Sequence, residues 1–244
     1  NVIQTAYHIL VASSPELLEQ EKGDIWDSGK IESDASQWIT YQGKTLKCNA
    51  PYYWKVKIDT NKGATNWSAP AFWTTGLFNE ADWQGQWIGL DRAAPGDSET
   101  QWSRLAARYL RKEFAVKKSV KRATVHIAGM GLYELFINGQ RIGNQVLAPA
   151  PTDYRKTILY NTYDVTSLLQ TENAIGVTLG NGRFYTMRQN YKPYKIPTFG
   201  YPKLRLNLIV EYADGSKETI ATNTSWKLTT EGPIRSNNEY DGEE

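Results

Sequence analysis

The sequence is poor in the residues that most often carry reactive chemistry. Its one cysteine, Cys48, excludes an internal disulfide and a cysteine-based zinc site. Two histidines, His8 and His126, leave little for a histidine-rich metal centre or a nucleophilic triad. No apolar run approaches the ~20 residues of a membrane-spanning helix. An excess of one charge is also missing: 28 Lys and Arg stand against 26 Asp and Glu. The resulting +2 gives no long-range pull toward nucleic acid or acidic lipid. Leu179-Gly180-Asn181-Gly182-Arg183 is glycine-rich but lacks the GxxxxGK[ST] pattern, and no long helix follows to bind a phosphate. It reads as a turn after a buried strand. Among the 26 acids no pair stands out by spacing as the facing carboxylates of glycoside hydrolysis.

What is abundant is aromatic. Trp (9) and Tyr (15) far exceed Phe (6). Both combine a flat apolar face with a polar tip, a bias that suits sugar-binding proteins and all-β cores alike. The dominant period is two, that of a strand. Tyr7, Ile9 and Val11 alternate with His8, Leu10 and Ala12, while Trp54, Val56 and Ile58 alternate with Lys55, Lys57 and Asp59. Ser14-Pro15 marks a helix of two turns at most, with Ser14 as cap. Trp26-Asp27-Ser28-Gly29 and Asn61-Lys62-Gly63 read as turns. Asn79 can cap a single turn over 79–83. Further along, Asn138-Gly139 is a strong hairpin signal, because both centres of a type I′ turn need positive φ. Asp214-Gly215 closes a second hairpin. No helix longer than three turns is expected.

Several features are ambiguous. The basic cluster Arg104, Arg108, Arg111, Lys112, Lys117, Lys118, Lys121 and Arg122 reads first as a solvated strand face, and second as a site for an anionic partner. His126 and His8 read as partly exposed or hydrogen-bonded structural residues, and Cys48 as a small half-buried one. Asn66-Trp67-Ser68 and Asn223-Thr224-Ser225 match the glycosylation pattern, which arises often by chance. Pro149 and Pro151 stiffen the entry to Thr152-Asp153-Tyr154-Arg155. Asp153 there suits a hard cation such as Ca²⁺, or simply caps a turn. The long segment 181–202 holds Phe184, Tyr185, Tyr191, Tyr194, Phe199 and Tyr201. Arg183, Arg188, Lys192 and Lys195 lie between them. Those rings either face a sugar or fold back on the protein.

Two resemblances organise these residues. Ala50-Pro51-Tyr52-Tyr53-Trp54-Lys55-Val56-Lys57-Ile58, then Asn66-Trp67-Ser68 and Phe72-Trp73-Thr74-Thr75, resemble a fibronectin type III domain over 1–77, whose first strand is not evident. The region 78–244 resembles the N-terminal region of bacterial α-L-rhamnosidases, glycoside hydrolase family 78. Gly131-Leu132-Tyr133-Glu134-Leu135-Phe136-Ile137-Asn138-Gly139-Gln140-Arg141-Ile142-Gly143, Leu147-Ala148-Pro149, Thr152-Asp153-Tyr154-Arg155-Lys156, Tyr160-Asn161-Thr162-Tyr163-Asp164-Val165-Thr166 and Tyr240-Asp241-Gly242-Glu243 carry it. The resemblance implies an all-β chain: a fibronectin type III-like β-sandwich followed by a jelly-roll, galactose-binding-like sandwich that is cut short at its end. It further implies an accessory region without catalytic residues. The inverting acid and base of the family sit in a later (α/α)₆ barrel. The expected partners are an L-rhamnose-containing glycan and that catalytic domain of the same chain, with no nucleic acid and no membrane span.

No cofactor is required, but a Ca²⁺ in the jelly-roll sugar site is implied, held by Asp153 and Asn190. Asp153, Tyr154, Arg183, Tyr185, Tyr191 and Tyr201 are the implied sugar contacts. Arg183-Phe184-Tyr185 stands where many relatives have Gly-Trp-Tyr. The parent is expected in the periplasm or outside a bacterium. The alternatives are a stand-alone lectin-like module and a purely structural pair of β domains.

Overall fold

The computed structural model describes residues 1–92, 105–185, 199–235, 237–238 and 242–243. The chain divides into two units, Asn1–Asp82 and Trp83–Glu244. Among the described residues nearly all regular structure is β, and the one α-helix has five residues. Among the described residues no helix is long and apolar enough to cross a membrane.

The first unit begins with β1 (Gln4–Ala12), which leads into α1 (Pro15–Glu19). Pro15 opens the helix as its fixed φ predicts. Ser14 forms no side-chain cap; instead Ser13 turns outward, donating its N–H and hydroxyl to Asp24, each at 2.8 Å. Trp26-Asp27 is not a turn but a short strand, β2, paired with Val11 and Leu10. The turn begins one residue later, with Gly29 at φ +59°. Strands β3 (Ile31–Glu32), β4 (Pro51–Thr60), β5 (Gly63–Ala64) and β6 (Ala71–Thr74) complete a single six-stranded sheet.

Antiparallel pairing of β1 with β4 sets Tyr7 opposite Ile58, Ile9 opposite Val56 and Val11 opposite Trp54. The other face of β1 carries Leu10 and Ala12, buried against Leu18 of α1. Lys55 is buried on that face as well: its ammonium donates to the Leu18 carbonyl at 2.5 Å and lies 4.9 Å from the Trp67 ring centre. The Leu18 carbonyl, which also accepts the Glu21 N–H at 2.9 Å, thereby partners the buried cation. The segment 33–50 contains no strand. At the end of the unit a 3₁₀ turn spans Glu80–Asp82. Its cap is Asp82 rather than Asn79: the Asp82 carboxylate accepts the N–H groups of Asn79 at 2.8 Å and Phe78 at 2.9 Å.

The second unit is a sandwich. Its described strands are β7 (Ile88–Gly89), β8 (Arg108–Ala115), β9 (Val120–Met130), β10 (Leu132–Ile137), β11 (Gln140–Ile142), β12 (Tyr160–Asp164), β13 (Glu172–Gly180), β14 (Lys203–Tyr212), β15 (Lys217–Ala221) and β16 (Lys227–Thr229), with β17 (Asn237–Asn238) and β18 (Gly242–Glu243) paired separately. One sheet runs β11-β10-β13-β8-β16, and the other runs β12-β9-β14-β15 with β7 on β14. Apart from the two hairpins β10–β11 and β14–β15, chain neighbours from β8 to β15 mostly change sheet, as in a jelly roll. One core joins both sheets: Leu135, Ile137, Ile175, Val177 and Leu179 from the first, and Val125, Ile127, Leu204, Leu206 and Leu208 from the second. Strict alternation explains it, since β13 buries Ile175, Val177 and Leu179 and leaves the residues between them half-buried.

Both expected hairpins form. Asn138 at φ +51° and Gly139 at φ +82° make the type I′ turn between β10 and β11. Asp214 and Gly215 close β14 onto β15, and the Asp214 carboxylate is held far below its ordinary range, first by the Ser216 hydroxyl and then by Lys118.

Candidate functional site

Of the expected sugar-site residues, the described Asp153, Tyr154, Arg183, Tyr185 and Tyr201 lie on the 147–157 loop, the turn after β13 and the chain entering β14 of the second unit. Close backbone approach shapes this corner. Gly131 sits at φ +130°, and a Cβ there would lie 2.2 Å from the Gly180 carbonyl oxygen. Gly182 sits at φ +50° against Leu132. The Gly180-Asn181-Gly182 turn therefore nests on the β9–β10 turn. Its Asn181 is fully buried, and the Asn181 N–H donates to the Asn237 side chain at 2.7 Å. The glycine-rich stretch is thus a packing turn after a buried strand.

Asp153 caps its own turn. The Asp153 carbonyl accepts the N–H groups of Lys156 at 2.8 Å and Thr157 at 3.0 Å. Its carboxylate takes the Arg155 guanidinium in a fork, Nε to Oδ1 at 2.9 Å and a terminal nitrogen to Oδ2 at 3.2 Å. The Arg155 hydrogen bonds hold the carboxyl below its ordinary range, outweighing a smaller upward push from desolvation. The sequence reading missed Arg155. An acid and an arginine two residues apart in a tight turn was the available signal. Of the two expected Ca²⁺ ligands, Asp153 is therefore occupied by a cation of its own chain, and Asn190 lies outside the described residues. Among the described residues no cluster of three His, Cys, Asp or Glu side chains forms.

The aromatic residues split into two groups. Tyr154 meets Phe184 edge to face at 5.3 Å and Phe199 at 5.4 Å, while Phe184 and Phe199 stack at 6.0 Å. Phe184 is buried, and the Phe199 N–H donates to the Phe184 carbonyl at 2.9 Å. Tyr154 is thus a packing residue of this corner. By contrast, Tyr185 and Tyr201 stack on each other at 5.6 Å, at an interplanar angle of 23°, and remain half-buried. Arg183 is exposed beside them in sequence. Tyr191 lies outside the described residues, as does the rest of 186–198.

The other candidates resolve as structural. His126 is fully buried rather than partly exposed. It bonds Thr162 at 2.9 Å, and burial, helped by nearby Arg122, pushes it down to about 4. His8 bonds Asp27 at 2.6 Å. The basic cluster scatters. Arg111 pairs with Glu113, Lys118 with Asp214 and Arg122 with Glu211. Arg108 is not on a solvated face at all; it is fully buried in phase with Leu110, donating to the Ala106 carbonyl. Arg104 lies outside the described residues.

Known proteins align with both units. Residues 1–79 match the model of the Rha78A-like N-terminal immunoglobulin domain. Residues 118–244 match that of the α-L-rhamnosidase N-terminal domain. The chain belongs to the α-L-rhamnosidase N-terminal domain family. An α-L-rhamnosidase of Formosa agariphila is 38% identical over 98% of the chain, which spans 27% of that protein. The solved α-L-rhamnosidase from Dictyoglumus thermophilum is 41% identical with a TM-score of 0.87, over 100% of the chain and 27% of that structure. The structure from Aspergillus terreus is 34% identical with a TM-score of 0.85, over 99% of the chain and 27% of its own. The chain thus spans about a quarter of these relatives. A Streptomyces avermitilis structure complexed with L-rhamnose, 23% identical, shares the fold with a TM-score of 0.84.

Proposed function

We propose that the chain is the non-catalytic N-terminal accessory region of an α-L-rhamnosidase, an inverting glycoside hydrolase that releases terminal α-L-rhamnose from glycans or glycosides. The observation that carries this is coverage. Nearly the whole chain aligns with α-L-rhamnosidases, yet it spans about a quarter of each. The acid and base would lie in a helical barrel outside these residues, and the parent would act in the periplasm or outside a bacterial cell. The purified 244-residue chain should give no turnover of an aryl α-L-rhamnoside, whereas the full-length natural protein should. Turnover by the chain alone would sink the assignment.

Within this reading, the second unit binds a rhamnose-containing glycan at the Tyr185–Tyr201 pair. Half-buried, nearly parallel rings suit the apolar face of a sugar, and Arg183, two residues before Tyr185, offers donors for its hydroxyls. Tyr191 and Asn190 would complete the site. Ca²⁺ would need Arg155 to release Asp153. A second reading, that this corner only braces the protein, is favoured by the Asp153–Arg155 fork and the packed Tyr154, Phe184 and Phe199 rings. Calorimetry with L-rhamnose, with and without Ca²⁺, separates the two. Heat of binding abolished by Tyr201→Ala supports the sugar site. No heat in either condition leaves the bracing role.

A further inference from the structure

In the second unit, Val125, Ile127, Leu206 and Leu208 turn to the core, so His126, Arg205 and Asn207 point out of the opposite face of β9 and β14. The run 83–87, just ahead of β7, is strapped across that outer face. Its middle residue, Gly85, is buried, while Gln84 and Gln86 on either side are exposed. The Gly85 N–H donates to the Asn207 side chain at 2.8 Å, and the Gly85 carbonyl accepts from the Arg205 guanidinium at 2.6 Å. Gln86 exchanges two bonds with Thr222: its N–H donates to the Thr222 carbonyl and its carbonyl accepts the Thr222 hydroxyl, each at 2.7 Å. The same Arg205 guanidinium lies 5.0 Å from the Trp83 ring centre and 6.0 Å from that of Trp87. So close an approach needs glycine, since a Cβ on Gly85 would lie 2.5 Å from the Leu206 carbonyl oxygen.

A histidine lies among these anchors. His126 is fully buried, directly opposite Asn207 on β14 and Thr162 on β12. Its ring meets Tyr160 at 6.0 Å, and Tyr160 meets Trp83 at 5.3 Å. Two supports of the strap, Asn207 and Tyr160, are therefore neighbours of one titratable ring. Among the described residues, the charged and titratable groups on this face are Arg122 of β9, Tyr160 and Asp164 of β12, Lys203, Arg205 and Glu211 of β14, and Lys217 of β15. The strap itself carries no charge. Glu211 is engaged by Arg122 and Lys217, Asp164 accepts the Thr166 N–H and hydroxyl, and Lys203 pairs with Asp91. Arg205 is the clamp of the strap.

We propose that the 83–87 strap is an acid-released latch, seated while His126 is neutral and let go when His126 takes a proton. A buried imidazolium needs hydration, and it repels the Arg205 guanidinium that holds Gly85 and both tryptophans. Opening the strap meets both demands by giving up the bonds to Gly85 and Gln86, and it leaves the two-sheet core intact. Linkage fixes the sign. Burial holds His126 down to about 4 against an ordinary 6.5, so the latch is fully seated above 6.5 and loosens as pH falls toward 4. Release uncovers the ring faces of Trp83 and Trp87 that Arg205 covers. The inference depends neither on sugar binding nor on rhamnosidase activity.

Amide hydrogen exchange of the 244-residue chain, corrected for intrinsic rates, tests it. Between neutral pH and about 4, the Gly85 and Gln86 amides should lose at least ~10-fold of their protection, while Val177 in the core strand β13 keeps its own. Equal losses at both places mean general unfolding and overturn the proposal, as does a strap whose protection holds. His126→Gln cannot take the proton and should abolish the loss; a loss that persists in it overturns the assignment of the trigger. Should that variant fail to fold, Gly85→Ala reads the same linkage from the other side. Its methyl group keeps the strap from seating, so the His126 titration followed by NMR should rise from about 4 toward 6.5. An unchanged midpoint overturns the latch.

Discussion

Residues here are placed by phase before they are placed by chemistry. Arg108 falls in phase with Leu110 on β8, so the strand period carries it inside regardless of polarity. His126, by contrast, is out of phase with the core residues Val125 and Ile127 and is buried on the other face of β9, beside Thr162 and Tyr160. Alternation predicts the phase of Arg108, and the charge run around it obscures that; burial of both faces of β9 is what alternation does not show. His126 gives a pH prediction. Its folded value of about 4 lies below the ordinary 6.5, so the unfolded chain binds the proton more readily. Stability from this group is full above 6.5 and is lost as pH falls from there toward 4, where both states are protonated. Thermal melts should therefore fall over that interval, and His126→Phe should flatten the fall. An unchanged slope would mean that other groups carry it. Asp153 shows the opposite limit of legibility. Its loop position beside aromatic residues was readable, but its partner was not. A two-residue salt fork depends on turn geometry, which periodicity does not encode.

At the scale of elements, what the sequence displayed best was local. The Asn138-Gly139 and Asp214-Gly215 hairpins need only a few residues to specify them, and both form. Trp26-Asp27 was misread as a turn because its pairing partner, β1, lies outside any local window. Glycines separate two kinds of demand. Gly139 has positive φ but open space around it, so Gly139→Ala should cost about 1 kcal/mol, the left-handed penalty alone. Gly131 adds a backbone clash with Gly180, so Gly131→Ala should cost more than about 3 kcal/mol. Chemical denaturation of the two variants checks the ranking. Equal losses would show that the β9–β10 turn can move away from the β13 turn.

At the scale of the molecule, the two units differ in how much core they own. The second draws a two-sheet core entirely from its own strands. Expressed alone, residues 83–244 should melt cooperatively and keep near-ultraviolet circular dichroism. Residues 1–82 alone should melt broadly with weak near-ultraviolet signal, in keeping with the small core cluster of Leu10, Ala12 and Leu18. A sharp melt of the short piece would show that its helix-side core suffices. The all-β class was legible from period two throughout, whereas the single-sheet state of the first unit was not.

The jelly-roll order of the second unit also has a cost in time. β8 waits for a partner, since Arg111 pairs with Lys227 across more than a hundred residues. At ~5–20 residues per second of synthesis, that edge stays unpaired for roughly ten seconds after β8 emerges from the ribosome. Arg111, Lys112 and Glu113 all lie on β8, and charged side chains along an open edge resist pairing with other chains. The same charges that suggest an anion site in the sequence act, during those seconds, as a guard against aggregation.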